Sequence, residues 1–405
     1  MAEAERRRLG PDEAIAALGQ RLRTVGVERI APRAGRVLAE PLVADRDSPA
    51  ADVSAMDGYA ARLADLSRTD EISVAGEVQA GDPPSALPVG EVLRIFTGAV
   101  IPSGTEAVVR REDTSETSNR VRWHDAARTL DMGANIRRRG ENGLAGATIL
   151  EVGARLTLAS VAAAANFGAA QIDCYRPVEV SVIVTGNELL GVDESPQPWQ
   201  LRDSNGPTVA SLLDGRPWLR LRRLSRCGDD VAALEAQFAQ CLADSDAVIL
   251  TGGVSKGDYD HVPGVIAGAG CEVIFHRLPI RPGQPVLGAV GPRGRLVLGL
   301  PGNPVSTACC LIRIGLPLLA KLSGQRLWQA RPGSVEIAAP DGKSLPLHWM
   351  RLVRRVESPD RVAGERVELI SGRGSGDLVA LAQSDGFIEQ SPDQTGAGPW
   401  AFYAW

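Results

Sequence analysis

The sequence predicts a multidomain α/β protein. It comprises a doubly wound, mainly parallel α/β sheet domain over residues 178–327, a β-rich insertion over 46–139, a helical linking domain made of 1–45 together with 140–177, and a C-terminal β-barrel over 328–405. Three observations predict it. From about residue 178, apolar strand-like runs alternate with helical patterns, as in a parallel sheet covered by helices on both faces. Residues 46–139 carry short β-like runs broken by Pro, Gly and Asp. Beyond about residue 328 the helical patterns stop and short strand-like runs remain, the texture of a small barrel or sandwich.

Each element follows from local pattern. Residues 11 to 24 place Ala14, Ile15, Leu18 and Leu22 at helical spacing, and ILEVGARLTLASVAAAANFGAA contains an alanine-rich helix that could pack on the first. Between them EISVAGEV, VLRIFTG, EAVVRRED and RVRWHD read as strands. The sheet domain then runs through VEVSVIV, NGPTVASLLDG, LRLRRLS, DDVAALEAQFAQCLADS, DAVIL, HVPGVIAGAG, CEVIFHR, RLVLGL and PVSTACCLIRIGLPLLAKL. VEIAA, MRLVRRVE, RVELISG, GFIEQ and WAFYAW supply the barrel.

With 405 residues, 44% of them hydrophobic, the chain can bury a substantial core. A net charge of -5 argues against a nucleic-acid coat. Nearly all positive charge is arginine, the only lysines being Lys256, Lys321 and Lys343. The six cysteines show no C-x-x-C spacing and no disulfide-dense pattern, so a reduced cytoplasm is expected and they read as small buried hydrophobes. The N-terminal stretch lacks the apolar core of a signal peptide, and no run reaches the roughly 18 apolar residues of a membrane span.

In an open α/β sheet, ligands bind beyond the carboxyl ends of the strands. VEVSVIV runs into Thr185-Gly186-Asn187-Glu188, DAVIL into TGGVSKGDYD (residues 251–260), and RLVLGL into Pro301-Gly302-Asn303-Pro304. Asn303 suits an N-cap and Pro304 the first helical position, so the next helix could aim free N–H groups at an anion; alone, PGNP reads first as a well-formed helix start. Glu188, Asp258 and Asp260 sit at strand ends, while Asp203 and Asp229 open intervening helices. Carboxylates beside glycine loops suit magnesium shared with a phosphate, although Asp203, Asp229 and Asp260 taken singly read as N-caps.

The insertion has polar concentrations at Ser54-Ala55-Met56-Asp57-Gly58-Tyr59 and Phe96-Thr97-Gly98, followed by Arg137-Arg138-Arg139-Gly140-Glu141-Asn142. Arginine forks grip oxyanions, and a solvated charge run is the commoner reading of such a cluster. Arg277 and Arg281 add charge near the sheet edge. Gly372-Arg373-Gly374-Ser375-Gly376-Asp377 lacks the G-x-G-x-x-G spacing and reads as a loop. His124, His261, His276 and His348 show no zinc spacing.

SAMDGYA, RIFTGAVIPSGTEAVV, GANIRRRGEN, TGNELL, TGGVSKGDYD, RPGQP and LPGNPVS stand in the order found in the molybdopterin molybdenumtransferase (MoeA-type) family, which is similar to the E domain of gephyrin. The chain resembles that family from about residue 11 to its C-terminus. The resemblance implies a cytoplasmic homodimer of elongated four-domain subunits, with the α/β domain of one facing the insertion of the other. It implies insertion of molybdate into adenylated molybdopterin with release of AMP, dependent on Mg2+, and as partners the adenylyltransferase upstream and molybdoenzyme clients; it implies neither nucleic acid nor membrane. Carried over, Asp57, Thr97, Glu188, Asp229 and Asp260 are the catalytic expectations, with Glu188 and Asp260 toward metal. Arg137, Arg138, Gly252, Gly253, Ser255, Arg277, Arg281, Pro301 and Pro304 are the cofactor-binding ones.

Several positions depart from the family pattern. Asn142 stands for the usual aspartate, Ala51-Asp52-Val53 for Phe-Asp-Asn, and Arg277, Arg281 and Gln284 for lysines. The usual Gly-Arg before an acidic-Phe pair is not recognisable in Leu345-Pro346-Leu347-His348-Trp349. A carrier paralogue that binds molybdopterin without inserting metal, and the related adenylyltransferase activity, are the alternative readings.

Overall fold

A computed structural model describes residues 9–255, 260–356 and 365–405. The described chain forms two compact units, one comprising residues up to Glu40 with Glu151–Ala162 and Ala170–Trp405, the other Pro41–Leu150 with Ala163–Ala169.

In the larger unit the central sheet has six strands in the order Leu219–Cys227, Val178–Thr185, Ala247–Thr251, Arg295–Leu300, Leu287–Gly291, Glu272–His276. The first four are mutually parallel. Leu287–Gly291, which the pattern of hydrophobic residues did not single out, runs antiparallel to both its neighbours. Alternation along the strands sends Val180, Val182 and Val184 into one core and Ile183 into the other. Helices Val231–Asp244 and Val262–Gly268 pack on the second core, while Asn205–Asp214 and the helix Pro304–Leu322 pack on the first. The sheet is therefore doubly wound. Strand order reverses beside Val178–Thr185, whose neighbours are the next two parallel strands of the chain, so a crevice opens beyond its carboxyl end.

Pro304–Leu322 is a 19-residue helix, widened to i→i+5 bonding over Leu311–Gly315. By length and composition it could cross a membrane, yet 89% of its most apolar stretch is buried. Arg313 and Lys321 punctuate it, so no uninterrupted apolar run of that length stands out in the sequence.

The first helix is shorter than its pattern suggests, Pro11–Gly19, because Arg23 and Val25 direct their N–H groups to the carbonyls of Gly294 and Leu322. Its buried Ala14, Ile15 and Leu18 join the first α/β core, and it packs on the Leu316–Leu322 segment rather than on the alanine-rich helix, which forms over Leu158–Asn166.

The C-terminal strands Gly333–Ile337, His348–Val356, Arg366–Leu369, Gly386–Gln390 and Trp400–Ala404 close into a five-stranded barrel, the closure being the antiparallel pairing of His348–Val356 with Gly386–Gln390. One short helix, Leu378–Ala382, interrupts the expected all-β run; Asp377 caps it by accepting from the Ala380 N–H.

The smaller unit holds a six-stranded sheet in the order Ala107–Arg110, Gly58–Ala61, Glu91–Ile95, Glu71–Val78, Arg120–Trp123, Thr114–Thr117. Tyr59 and Ala61 face one core and Ala60 the other. Gly58 is required there: a Cβ would lie 1.9 Å from the Val109 carbonyl oxygen. All six cysteines are buried and free, and burial pushes the Cys309 and Cys310 thiols up.

Candidate functional site

Asp57 ends the turn that leads into Gly58–Ala61, and Thr97 follows the neighbouring strand Glu91–Ile95. Antiparallel pairing of these strands brings the two residues together. The Thr97 amide and hydroxyl both donate to Asp57 Oδ1, at 2.8 and 2.7 Å. The amide bond first, then the hydroxyl, holds the Asp57 carboxyl below the ordinary aspartate range. The result is a solvent-facing carboxylate fixed in direction.

The triple arginine lies in the same unit and is neutralised locally. Arg137 donates to Glu141 Oε1 and, at 2.8 Å, to Asn142 Oδ1. Arg138 donates to Asp52 Oδ2 at 2.7 Å, and Arg139 pairs with Asp47. Two backbone amides, Arg138 to Glu141 and Arg139 to Asp52, complete the network. The arginines thus begin as a carboxylate-braced corner, and an incoming anion would compete with Glu141, Asp52 and Asp47. Asn142 serves as a neutral acceptor for Arg137.

In the larger unit, three loops gather at the switch point. Gly252 and Gly253 have φ of +90° and +61°. A Cβ on Gly252 would lie 2.7 Å from both the carbonyl and hydroxyl oxygens of Thr185, so the loop following Ala247–Thr251 lies directly against the end of Val178–Thr185. The Gly252 N–H reaches the Leu300 carbonyl, and Gly302 lies against the Gly252 Cα. Glu188 folds back toward Gly186, whose φ is +146°. Asn187 ties this loop to the next by accepting from the Asp229 N–H at 3.0 Å. Ser255 is exposed, and His276 Nε2 pairs with the Val254 carbonyl at 2.9 Å below it. Lys256 and Asp258 lie outside the described residues.

The helix caps differ from the sequence expectation. Asp230, not Asp229, caps Val231–Asp244 by accepting from Ala233 N at 2.7 Å, which leaves Asp229 outside the helix. Asp203 accepts from Gly206 N at 2.8 Å at the start of Asn205–Asp214.

Pro304 occupies the first position of its helix with Asn303 as N-cap residue, but the Asn303 side chain caps nothing there. Its Nδ2 donates to Ser375 Oγ at 2.9 Å, and the Val305 N–H donates to the Ser375 carbonyl at 3.0 Å. The barrel loop Gly372–Gly376 therefore takes one of the few free donors of this helix start, so the PGNP turn is not an open anion cradle. Pro301 is buried, its carbonyl accepting from Thr307 Oγ1. Arg277, at φ +70°, donates to Gln284 Oε1 at 3.4 Å, and exposed Arg281 lies in the short strand that pairs with His348–Trp349.

Three participants were not singled out by sequence. Asn187 and Ser375 act as tethers. Asn205 donates to the Gly302 carbonyl at 2.8 Å while its Oδ1, like Thr251 Oγ1, is buried without a protein partner. The D-S-N run at 203–205 was the visible signal for Asn205, while Asn187 and Ser375 lay inside the quoted runs at 185–188 and 372–377. Among the described residues no group of three or more His, Cys, Asp or Glu side chains could hold a metal ion. Glu188 and Asp260, the two residues expected toward metal, carry carboxylate oxygens of the kind magnesium prefers.

An open α/β sheet with glycine and carboxylate loops at its switch point, joined to a β-rich insertion and a closed barrel, defines a multidomain α/β enzyme acting on a small molecule. Residues 9–168 match the MoeA N-terminal region (domain I and II), and residues 181–321 match a probable molybdopterin binding domain. A molybdopterin molybdenumtransferase of Haemophilus influenzae is 35% identical over 371 residues, 90% of each chain. Another, from Nostoc sp., is 33% identical over 370 residues, 87% of this chain and 81% of its own. A solved MoeA molybdopterin-biosynthesis protein of Pyrococcus horikoshii shares 25% identity at a TM-score of 0.75, covering 98% of this chain and 99% of that one. A second structure from that organism, 23% identical at 0.81 and covering 98% and 100%, supports the fold. The chain belongs to the molybdopterin molybdenumtransferase family.

Proposed function

We propose that the chain completes the molybdenum cofactor by inserting molybdate into adenylated molybdopterin and releasing AMP. The observation that carries this reading is the left-handed Gly252-Gly253 turn pressed against Thr185 at the strand-order reversal, with Glu188 on the adjoining loop. Bare backbone there lets a phosphate-bearing pterin approach closely, as a side chain would not.

The chemistry to be assisted is cleavage of the phosphoanhydride-type bond between AMP and the pterin phosphate. An oxygen of water or molybdate attacks the pterin phosphorus as its P–O bond to AMP breaks, and the two dithiolene thiols replace one molybdate oxygen, which leaves as water with their two protons. Glu188, Asp229 and Asp260 would present carboxylates on the α/β side, and the fixed, ionised Asp57 carboxylate would orient a reacting group on the insertion side. Magnesium bound by Glu188 and Asp260 would neutralise phosphate charge. Arg277 and Arg281 would hold anionic groups, with Arg137 and Arg138 exchanging a carboxylate partner for substrate. Facing of the insertion of one subunit and the α/β domain of another, in a homodimer, would unite the two sets.

Purified protein given adenylated molybdopterin, molybdate and magnesium is expected to release AMP and yield active cofactor. No AMP release under conditions that support the Haemophilus influenzae relative would refute the activity. Asn142 favours a second reading, a carrier that binds the pterin without turnover. Its signature is release of AMP by Asn142→Asp but not by the native chain; since Asn142 already satisfies Arg137, comparable release by both is expected.

A further inference from the structure

A cavity of about 430 Å³ lies in the larger unit, away from the switch-point loops, between the Pro304–Leu322 helix, the segment 325–333 and the barrel. Its walls carry Trp218, Trp328 and Phe402 together with Arg155, Arg216 and Arg331. None of these three arginines has an ion-pair partner among the described residues. The fourth arginine of the wall, Arg355, is paired with Glu365 and lies over the Phe402 ring. Arg216 is half-buried and donates to the Leu212 carbonyl at 2.6 Å. Burial, and then the nearby Arg155 charge, pull its guanidinium below the ordinary arginine range. Trp218 is 4% exposed, and its indole N–H has no partner.

Four arginines line the wall against the one carboxylate of Glu365, so among the described residues its formal charge is positive, with Arg216 half-buried and Arg155 and Arg331 open to solvent. The partly exposed Trp328 ring beside guanidinium groups matches a flat, negatively charged guest, which can lie against the ring while its anionic group meets an arginine fork. The volume fits a molecule of one or two rings. We propose that this cavity binds a small organic anion with a flat aromatic body. The site is separate from the residues assigned to molybdenum insertion, and the inference does not rest on that reaction.

The test is titration of the full-length protein with naphthalenesulfonate, followed by calorimetry, beside neutral naphthalenemethanol and inorganic sulfate. One saturable site is expected for naphthalenesulfonate, with the neutral compound and sulfate each bound at least about tenfold more weakly, because each lacks one of the two contacts. Arg155→Met and Arg216→Met should each weaken binding by about five- to tenfold while AMP release is unchanged. Arg155 is exposed, so its variant decides the matter if Arg216→Met does not fold. Failure to saturate, equal binding of the neutral analogue, or native affinity in Arg155→Met overturns the proposal.

Discussion

Thr97 donates both its amide and its hydroxyl to the same oxygen of Asp57, leaving Oδ2 facing solvent as a carboxylate of fixed orientation. Two donors on one oxygen stabilise the ionised form and remove rotational freedom, which is what a charged orienting group needs. Asp57→Asn should lower AMP release by about 10²-fold or more, and Thr97→Val, which keeps the amide donor, by about tenfold. Steady-state AMP assays with a thermal melt on each variant check this. An undiminished rate in Asp57→Asn would remove the pair from the reaction.

Gly252→Ala should destabilise the larger unit by about 2 kcal/mol, because its φ of +90° disfavours a side chain and the added carbon meets two Thr185 oxygens at 2.7 Å. Gly264 provides the control. It lies in the helix Val262–Gly268 with open space around its Cα, so Gly264→Ala should stabilise by about 0.5–1 kcal/mol. Urea denaturation of both variants reads the opposite signs.

The Asn303–Ser375 bond joins the start of the long helix to the barrel loop. Asn303→Ala and Ser375→Ala should each cost about 1 kcal/mol, and the double variant little more than either alone, since both remove one shared side-chain bond. A double-mutant cycle by chemical denaturation measures it; full additivity would show that the two residues act independently.

Within the core, Arg313 Nε donates to Glu389 Oε2 at 2.5 Å, and His348 Nδ1 meets Glu389 Oε1 at 2.7 Å. Burial would raise the Glu389 carboxyl, but the His348 hydrogen bond and the Arg313 charge outweigh it and hold the group at about 2. A folded value below the ordinary 4.5 means the contribution is complete above that pH and is lost as pH falls toward 2. Glu389→Gln should cost about 3 kcal/mol at neutral pH and less at pH about 3. Denaturation at both pH values tests this, and an equal cost at each would contradict it.

Much of this was legible in the sequence because strand and helix periods are local. Every run expected as a strand, from EISVAGEV to WAFYAW, contains one, with ends that differ by a few residues, as where VEIAA becomes Gly333–Ile337. Leu287–Gly291 escaped notice because glycines at both positions 288 and 291 weaken its pattern, and tertiary pairing makes it a strand. The site was less legible for a related reason. That Asp57 meets Thr97, that Asp230 rather than Asp229 caps its helix, and that Ser375 covers the start of the Pro304 helix depend on chain approaches that residue spacing does not encode.

Arg313 is made 76 residues before Glu389, one of the two carboxylates it pairs with, the other being Asp12. While the chain is still on the ribosome, the helix around it is a 19-residue apolar segment without its covering strand Gly386–Gln390. A mid-segment arginine costs about 2.5–3.5 kcal/mol on membrane insertion. The side chain that ties helix to barrel in the folded protein is thus also the residue that makes this apolar segment a poor candidate for membrane insertion.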